Sequence, residues 1–203
     1  ASIFGLSAFV TQDDDPSSAS LVEHLYASLW DPGLGLFRDG VLQVPGRTRV
    51  ERPDLAGAFD MIGFSYYSTT GARLGAPAIH PQGATESALG YGIYADGLGL
   101  VLDRLHAEVP DTPVLVAEFG VGTDDDGVRA AYLQRGLEVV AERVADGHDI
   151  RGLFHWTAVD NDEWLHGYDI SFGLIDRDRN VRPSAAVLSN EALSRPDPRP
   201  DSR

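Results

Sequence analysis

The sequence predicts an α/β fold built on a parallel sheet, and three observations carry that prediction. Strand-like and amphipathic segments alternate four times along the chain, the signature of repeated βα units. The run Val114-Leu115-Val116-Ala117 behind Pro113 is continuously apolar, as in a strand covered on both faces. It ends in Glu118-Phe119-Gly120, which puts a carboxylate at the C-terminal edge of a strand, where α/β folds gather their chemistry.

Residues from Ile3 to Val10 read as the first strand, and an acidic loop, TQDDDP, follows. An amphipathic helix then runs from about Ser18 to Trp30. Its start is open between two signals, the capping-box spacing of Ser20 and Glu23 and the Asp15-Pro16 pair. Residues 31–53, rich in Gly, Pro and Arg, read as an ordered excursion. Phe59 to Tyr67 reads as the second strand and Gly71 to Gly92 as a long loop. A helix is expected over Ala95 to Glu108, with Leu98, Val101, Leu102 and Leu105 on one face.

The third strand is the VLVA run itself. Asp124, Asp125 and Asp126 precede the next helix, where acids favour the N-terminus and one of them caps it. Gly147 ends that helix, and Ile150 to Trp156 reads as the fourth strand. A short helix is expected from Pro183 to Leu193. Residues 194–203, SRPDPRPDSR, are polar and proline-rich and are expected to be a disordered tail behind a domain covering residues 1–193.

At 203 residues and 43% hydrophobic content, the chain can fill a sizeable core as one domain. Acidic residues outnumber basic ones by 31 to 16, for a formal charge of -15. That balance repels phosphate backbones and anionic lipid surfaces, so neither nucleic acid nor membrane is expected as a partner. With no cysteine, disulfides, thiolate metal sites and cysteine nucleophiles are excluded, and a reducing, cytoplasmic setting is expected. No apolar run approaches a membrane span, and ASIFGLSAFV lacks signal-peptide features. The sequence opens without methionine on residues that already read as strand, which suggests a fragment. Its arginine-only basic set, with abundant Ala, Gly, Asp and Val, suggests a bacterial source of high GC content.

Two further clusters carry chemistry. In HWTAVDNDEWLHGYDISFGL, residues 155–174, Trp156 and Trp164 bracket Asp160, Asn161, Asp162 and Glu163. Aromatic faces cover the C–H patches of a sugar ring while carboxylates and amides bond its hydroxyls; the alternative is an exposed loop anchored by two tryptophans. The other cluster is Ser65-Tyr66-Tyr67 at the end of the second strand. A tyrosine hydroxyl there could reach a carboxylate on the next strand, although paired tyrosines also serve packing.

No cofactor or metal is expected. Glu163 and His166 have Glu-x-x-His spacing, but a di-iron bundle needs two such pairs on helices. The six histidines form no His-x-x-x-His pair, and His155 reads as a packed strand-end residue. A Gly-x-Ser-x-Gly elbow is absent, and a chain without lysine has no P-loop.

In this order the three clusters resemble the C-terminal half of a family 1 glycoside hydrolase, the β-glucosidase family of retaining enzymes on (β/α)₈ TIM barrels. That family's Asn-Tyr-Tyr motif is matched by Ser65-Tyr66-Tyr67. Its Thr-Glu-Asn-Gly is matched by Ala117-Glu118-Phe119-Gly120. Its Trp-Ser-Leu-Leu-Asp-Asn-Phe-Glu-Trp motif, with Gly-Tyr and Phe-Gly-Leu downstream, is matched by Trp156 to Trp164, Gly167-Tyr168 and Phe172-Gly173-Leu174. The resemblance runs from about Asp60 to Val187 and includes YGIYADGL.

The resemblance implies a TIM-type barrel of which this chain supplies about the last four βα units. It implies retaining hydrolysis of β-glycosidic bonds in small glucosides or oligosaccharides. Glu118 would be the nucleophile and Tyr67 the hydrogen-bond donor that orients it. Glu163 would accept from sugar hydroxyls, with Trp164 beside it and Trp156 as the floor of the site.

Three departures stand out. Ser65 and Phe119 replace asparagines of the family pattern, which alters polar contacts around the reacting sugar. The Asn-Glu-Pro motif that carries the family's acid/base is absent. Retaining hydrolysis needs two carboxyl groups roughly 5–5.5 Å apart, so the acid/base is expected in a missing N-terminal barrel half, which becomes the expected partner. Asp160, Asp162 and Glu163 are weaker candidates for a substitute acid. The alternative is a non-catalytic sugar-binding relative or an inactive fragment.

Overall fold

The computed structural model describes residues 2–194. In chain order the elements are β1 (Ser2–Gly5), β2 (Ala8–Thr11), α1 (Pro16–Leu29), α2 (Asp31–Asp39), β3 (Val41–Leu42) and β4 (Val50–Glu51). A 3-10 turn (Pro53–Leu55) leads to β5 (Ile62–Tyr66), β6 (Thr69–Arg73), β7 (Ala76–Ile79), α3 (Gly97–Glu108), β8 (Val114–Phe119), α4 (Asp126–Ala145), β9 (Ile150–His155) and α5 (Ala185–Ser194). Beyond Ser194, the expected polar tail lies outside the described residues.

The main sheet has the order β1-β5-β8-β9, and every neighbouring pair is parallel. Spatial order therefore follows chain order, as in a barrel wall; a doubly wound sheet would reverse its order at a switch point. Phe64 and Val116 on one face pack with Leu98, Val101, Leu102 and Leu105 of α3 and Leu133 and Val140 of α4. The α3 face is the one its spacing predicts, since Leu98, Val101, Leu102 and Leu105 are all buried and Leu100, off that face, is exposed.

Helix starts follow local chemistry. Asp15 caps α1 by accepting from Ser17 N at 2.9 Å, with Pro16 in the first turn; this settles the two rival signals in favour of Asp15-Pro16. Asp125 caps α4, its Oδ1 accepting from Gly127 N and Val128 N. Gly147, at φ 94, takes the left-handed turn after α4.

Three expectations need correction. The strand expected over Ile3 to Val10 is two strands in different sheets. It breaks at Leu6 and Ser7, where Leu6 N donates to Ser65 O and Ser7 Oγ meets Ser68 Oγ. The second strand breaks at the same level, between Tyr66 and Thr69, so both chains leave the main sheet together and resume as β2 and β6, which pair in parallel. Next, the expected loop from Gly71 holds a hairpin, β6 against β7. Leu74 (φ 50) and Gly75 (φ 71) form its turn, and Asp13 of the acidic loop accepts from Leu74 N. Finally, the excursion at residues 31–53 contains α2 and the β3–β4 pair. Gly33 masks that helix in the sequence, yet a side chain there would run into the Phe4 ring.

Candidate active site

An irregularity in β8 aims Glu118. Phe64 pairs with Val116, but Ser65 pairs with Glu118, so Ala117 is an extra residue in the strand. Strict alternation from Val116 would send Glu118 into the helix-facing core and Phe119 to the opposite face. The bulge reverses that assignment. Val116 and Phe119 are both fully buried, and Glu118 is left half-buried on the other side. Phe119 stacks against Tyr66 (centroids 6.2 Å) and Tyr132 (4.5 Å), over Gly136 of α4. The departure from the family pattern at this position is therefore absorbed by the core.

Tyr67, in the joint between β5 and β6, donates from its hydroxyl to Glu118 Oε2 at 2.6 Å. Burial, and then the carboxylate it bonds, raise the phenol well above its ordinary value. It therefore stays a donor through the alkaline range. Its ring meets Phe172 edge-on at 6.0 Å.

Trp156 directly follows β9, and its indole Nε1 donates to Glu163 Oε1 at 3.1 Å. Glu163 sits in a tight turn, its N–H bonded to Gly167 O and its carbonyl accepting from His166 N, both at 2.7 Å. Glu163 adds to the upward shift of the Tyr67 phenol as a minor cause. Burial pushes the Tyr91 phenol up to about 12, with Glu163 adding to the shift. Trp164 stands apart, 93% exposed beside Leu165 at 95%.

Asp160 is not free to act as an acid. Arg182 grips both of its oxygens, at 2.9 and 2.7 Å, and Gly173 N donates at 2.7 Å. Burial works to raise this carboxyl, but the Arg182 bonds and the Gly173 N–H outweigh it and hold the group below its ordinary value. A second strut is Arg129, fully buried, which bonds Asp126, Thr123 O and Ser171 O. Asp126 in turn accepts from Ser184. Together these pairs pin the segments after β8 and β9 to the start of α4.

Of the residues singled out in the sequence, Tyr67 is joined to Glu118 and Trp156 to Glu163, while Trp164 makes neither contact. Sequence reasoning did not find the struts. Arg129 lies three residues after Asp126, a helical ion-pair spacing that was legible; Arg182 lies 22 residues from Asp160 with no local signal. Among the described residues no group of three or more His, Asp or Glu side chains could hold a metal. None of the described helices is long and apolar enough to cross a membrane. A cavity of about 320 Å³ lies at the other end of the strands, lined by Phe4, Phe37, Phe59 and Ile62 among others, away from these pairs.

The family model described as Glycosyl hydrolase family 1 matches residues 41–191. A bifunctional β-D-glucosidase/β-D-fucosidase of Bifidobacterium breve is 33% identical over 146 residues, 57% of this chain and 32% of its own length. A β-galactosidase of Saccharolobus solfataricus is 31% identical over 173 residues, 73% of this chain and 34% of that one. A solved β-glycosidase from Pyrococcus horikoshii superimposes with a TM-score of 0.84 at 22% identity, covering 95% of this chain and 47% of that chain. The chain thus spans about a third of the curated relatives and about half of that barrel. Its fold is that of part of a (β/α)₈ barrel. The relatives come from bacteria, archaea and plants, so they do not narrow the source to bacteria.

Proposed function

The chain belongs to glycosyl hydrolase family 1, and on that premise we propose that it is the nucleophile-bearing part of a retaining β-glycosidase acting on small β-linked glucosides or oligosaccharides. The observation that carries this reading is the 2.6 Å bond from Tyr67 to Glu118. It holds a carboxylate, aimed out of a strand by a bulge, in one orientation at the C-terminal edge of the sheet. Such a carboxylate attacks the anomeric carbon as the bond to the departing oxygen breaks, and a glycosyl ester results. Water then attacks that ester from the opposite face and releases Glu118.

Trp156 supplies an apolar floor for the sugar, and Glu163, oriented by the Trp156 indole, accepts from its hydroxyls. Trp164 joins that subsite once a covering segment gives its exposed ring a neighbour. The acid/base belongs to a complementary barrel half, in the same polypeptide or in a partner chain, since Asp160 is committed to Arg182. A chain without cysteine fits a cytoplasmic setting. That same commitment of Asp160 also favours a second reading, a sugar-binding relative without turnover.

One experiment separates the two. A dinitrophenyl β-glucoside needs no acid to lose its leaving group, and azide can take the place of the water that a base would activate. The proposal expects azide-dependent release of dinitrophenolate with formation of the β-glucosyl azide, absent in Glu118→Gln. Binding of the glucoside without any azide product would establish the non-catalytic reading instead.

A further inference from the structure

His155 ends β9, in register with Phe119. Its Nδ1 lies 2.9 Å from Phe119 O, and its Nε2 lies 3.0 Å from Phe172 O. Each carbonyl leads to one half of the site. Phe119 follows Glu118 directly, and its carbonyl also accepts from Trp156 N at 3.0 Å, the residue whose indole holds Glu163. Phe172 packs edge-on against Tyr67, which holds Glu118.

We propose that His155 is a positioning residue, an imidazole strut between the strand end that carries Glu118 and the segment that carries Phe172, and that it fixes the Tyr67–Glu118 and Trp156–Glu163 pairs relative to each other. Its functional consequence rests on the reading given under Proposed function; the strut itself does not.

Hydrogen-bond accounting assigns the tautomer. A neutral imidazole has one N–H. Phe119 O keeps the Trp156 N–H in either case, whereas Phe172 O is served by the imidazole alone among the described hydrogen bonds. A half-buried carbonyl left without a donor is costly, so the proton sits on Nε2; the ring then bonds Phe172 O alone, Nδ1 meets Phe119 O without a proton between them, and the tie to the Phe119 strand end is the backbone register and the Trp156 N–H. Burial and the nearby Arg129 of α4 both disfavour the imidazolium, while the two carbonyls favour it; burial prevails and the ring is neutral at pH 7. A strut of this kind has a fixed tautomer, and an imidazole packed only for its shape does not need one.

The test uses the full chain with His155→Phe, which keeps a ring of similar shape without the N–H, and His155→Gln, which keeps a donor. Imidazole ¹⁵N spectra of the unmodified protein should show a single Nε2–H tautomer for His155. In His155→Phe the Trp156 indole N–H resonance should move, and labelling of Glu118 by a dinitrophenyl 2-deoxy-2-fluoro-β-glucoside should slow about tenfold or more, the scale of a misplaced reacting group. His155→Gln should recover most of both at the same thermal midpoint as His155→Phe. A tautomer-averaged His155, or a Trp156 resonance unmoved in His155→Phe, would overturn the strut. If the unmodified chain is not labelled at all, the functional reading falls by itself, and the two spectral readouts still decide the strut.

Discussion

The Tyr67 hydroxyl donates to Glu118 across 51 residues of sequence, at 2.6 Å. The contact depends on two backbone irregularities. The break after β5 places Tyr67 at the joint of two sheets, and the extra residue in β8 turns Glu118 toward it. Regular strands would place Glu118 among the leucines of α3.

Tyr67→Phe removes that donor and little volume. A hydrogen bond to a charged group contributes about 1.5–3 kcal/mol, so the rate at which a fluoroglucoside labels Glu118 should fall roughly ten- to a hundredfold with the thermal midpoint nearly unchanged. Because the phenol titrates above its ordinary value, the donor persists as pH rises. The ratio of the two labelling rates should therefore stay constant from pH 7 to pH 9.

Asp160 and Arg182 hold the loop that carries Glu163, with side chains only 10% and 20% exposed. Removing one partner of a buried pair costs about 3 kcal/mol, so Asp160→Asn should lower the urea unfolding free energy by that order. Asp160→Asn with Arg182→Met should recover part of it, because no charge is then left alone. The folded carboxyl titrates below its unfolded value, so the pair stabilises fully above about pH 5. Its contribution is lost as pH falls through the depressed folded value. Stability measured from pH 5 down to pH 2 should fall less steeply in Asp160→Asn than in the unmodified chain.

Gly136 tests the Phe119 packing. Alanine is about 1 kcal/mol better than glycine inside a helix, but a Cβ here would collide with the Phe119 ring, and overpacking costs roughly 1–3 kcal/mol. Gly136→Ala should be net destabilising in chemical unfolding.

The two tryptophans should behave differently. Trp164, 93% exposed, should change stability by less than about 0.5 kcal/mol on conversion to alanine. Trp156→Ala removes the donor to Glu163, and calorimetry with a glucose-shaped imino sugar should show about tenfold weaker binding, a loss of about 1.4 kcal/mol.

The sequence was most readable where a signal is local. The α3 stripe is contained within a few residues and is found where its spacing puts it, while the α1 start was narrowed to two signals and the α4 cap to three aspartates, of which Asp15 and Asp125 are the caps. What stayed hidden depends on partners far along the chain. The break at Leu6 and Ser7 answers one near Ser68, α2 tolerates Gly33 because Phe4 packs there, and the β8 bulge is visible only in its register with β5 and β9. The same holds at the site. Tyr67, Glu118 and Trp156 stood out as residue types at strand ends and Glu163 as part of the loop after one, whereas the contacts of His155, Asp160 and Arg182 lie in no short window.

The most direct test of the central claim is the intact mass of the chain before and after incubation with a dinitrophenyl 2-deoxy-2-fluoro-β-glucoside. Its leaving group departs without a proton, which isolates the nucleophile from the acid. A mass gain of one fluorosugar is expected, mapped by peptide sequencing to Glu118 and lost in Glu118→Gln. Labelling at another residue, or labelling that survives in Glu118→Gln, would contradict that claim.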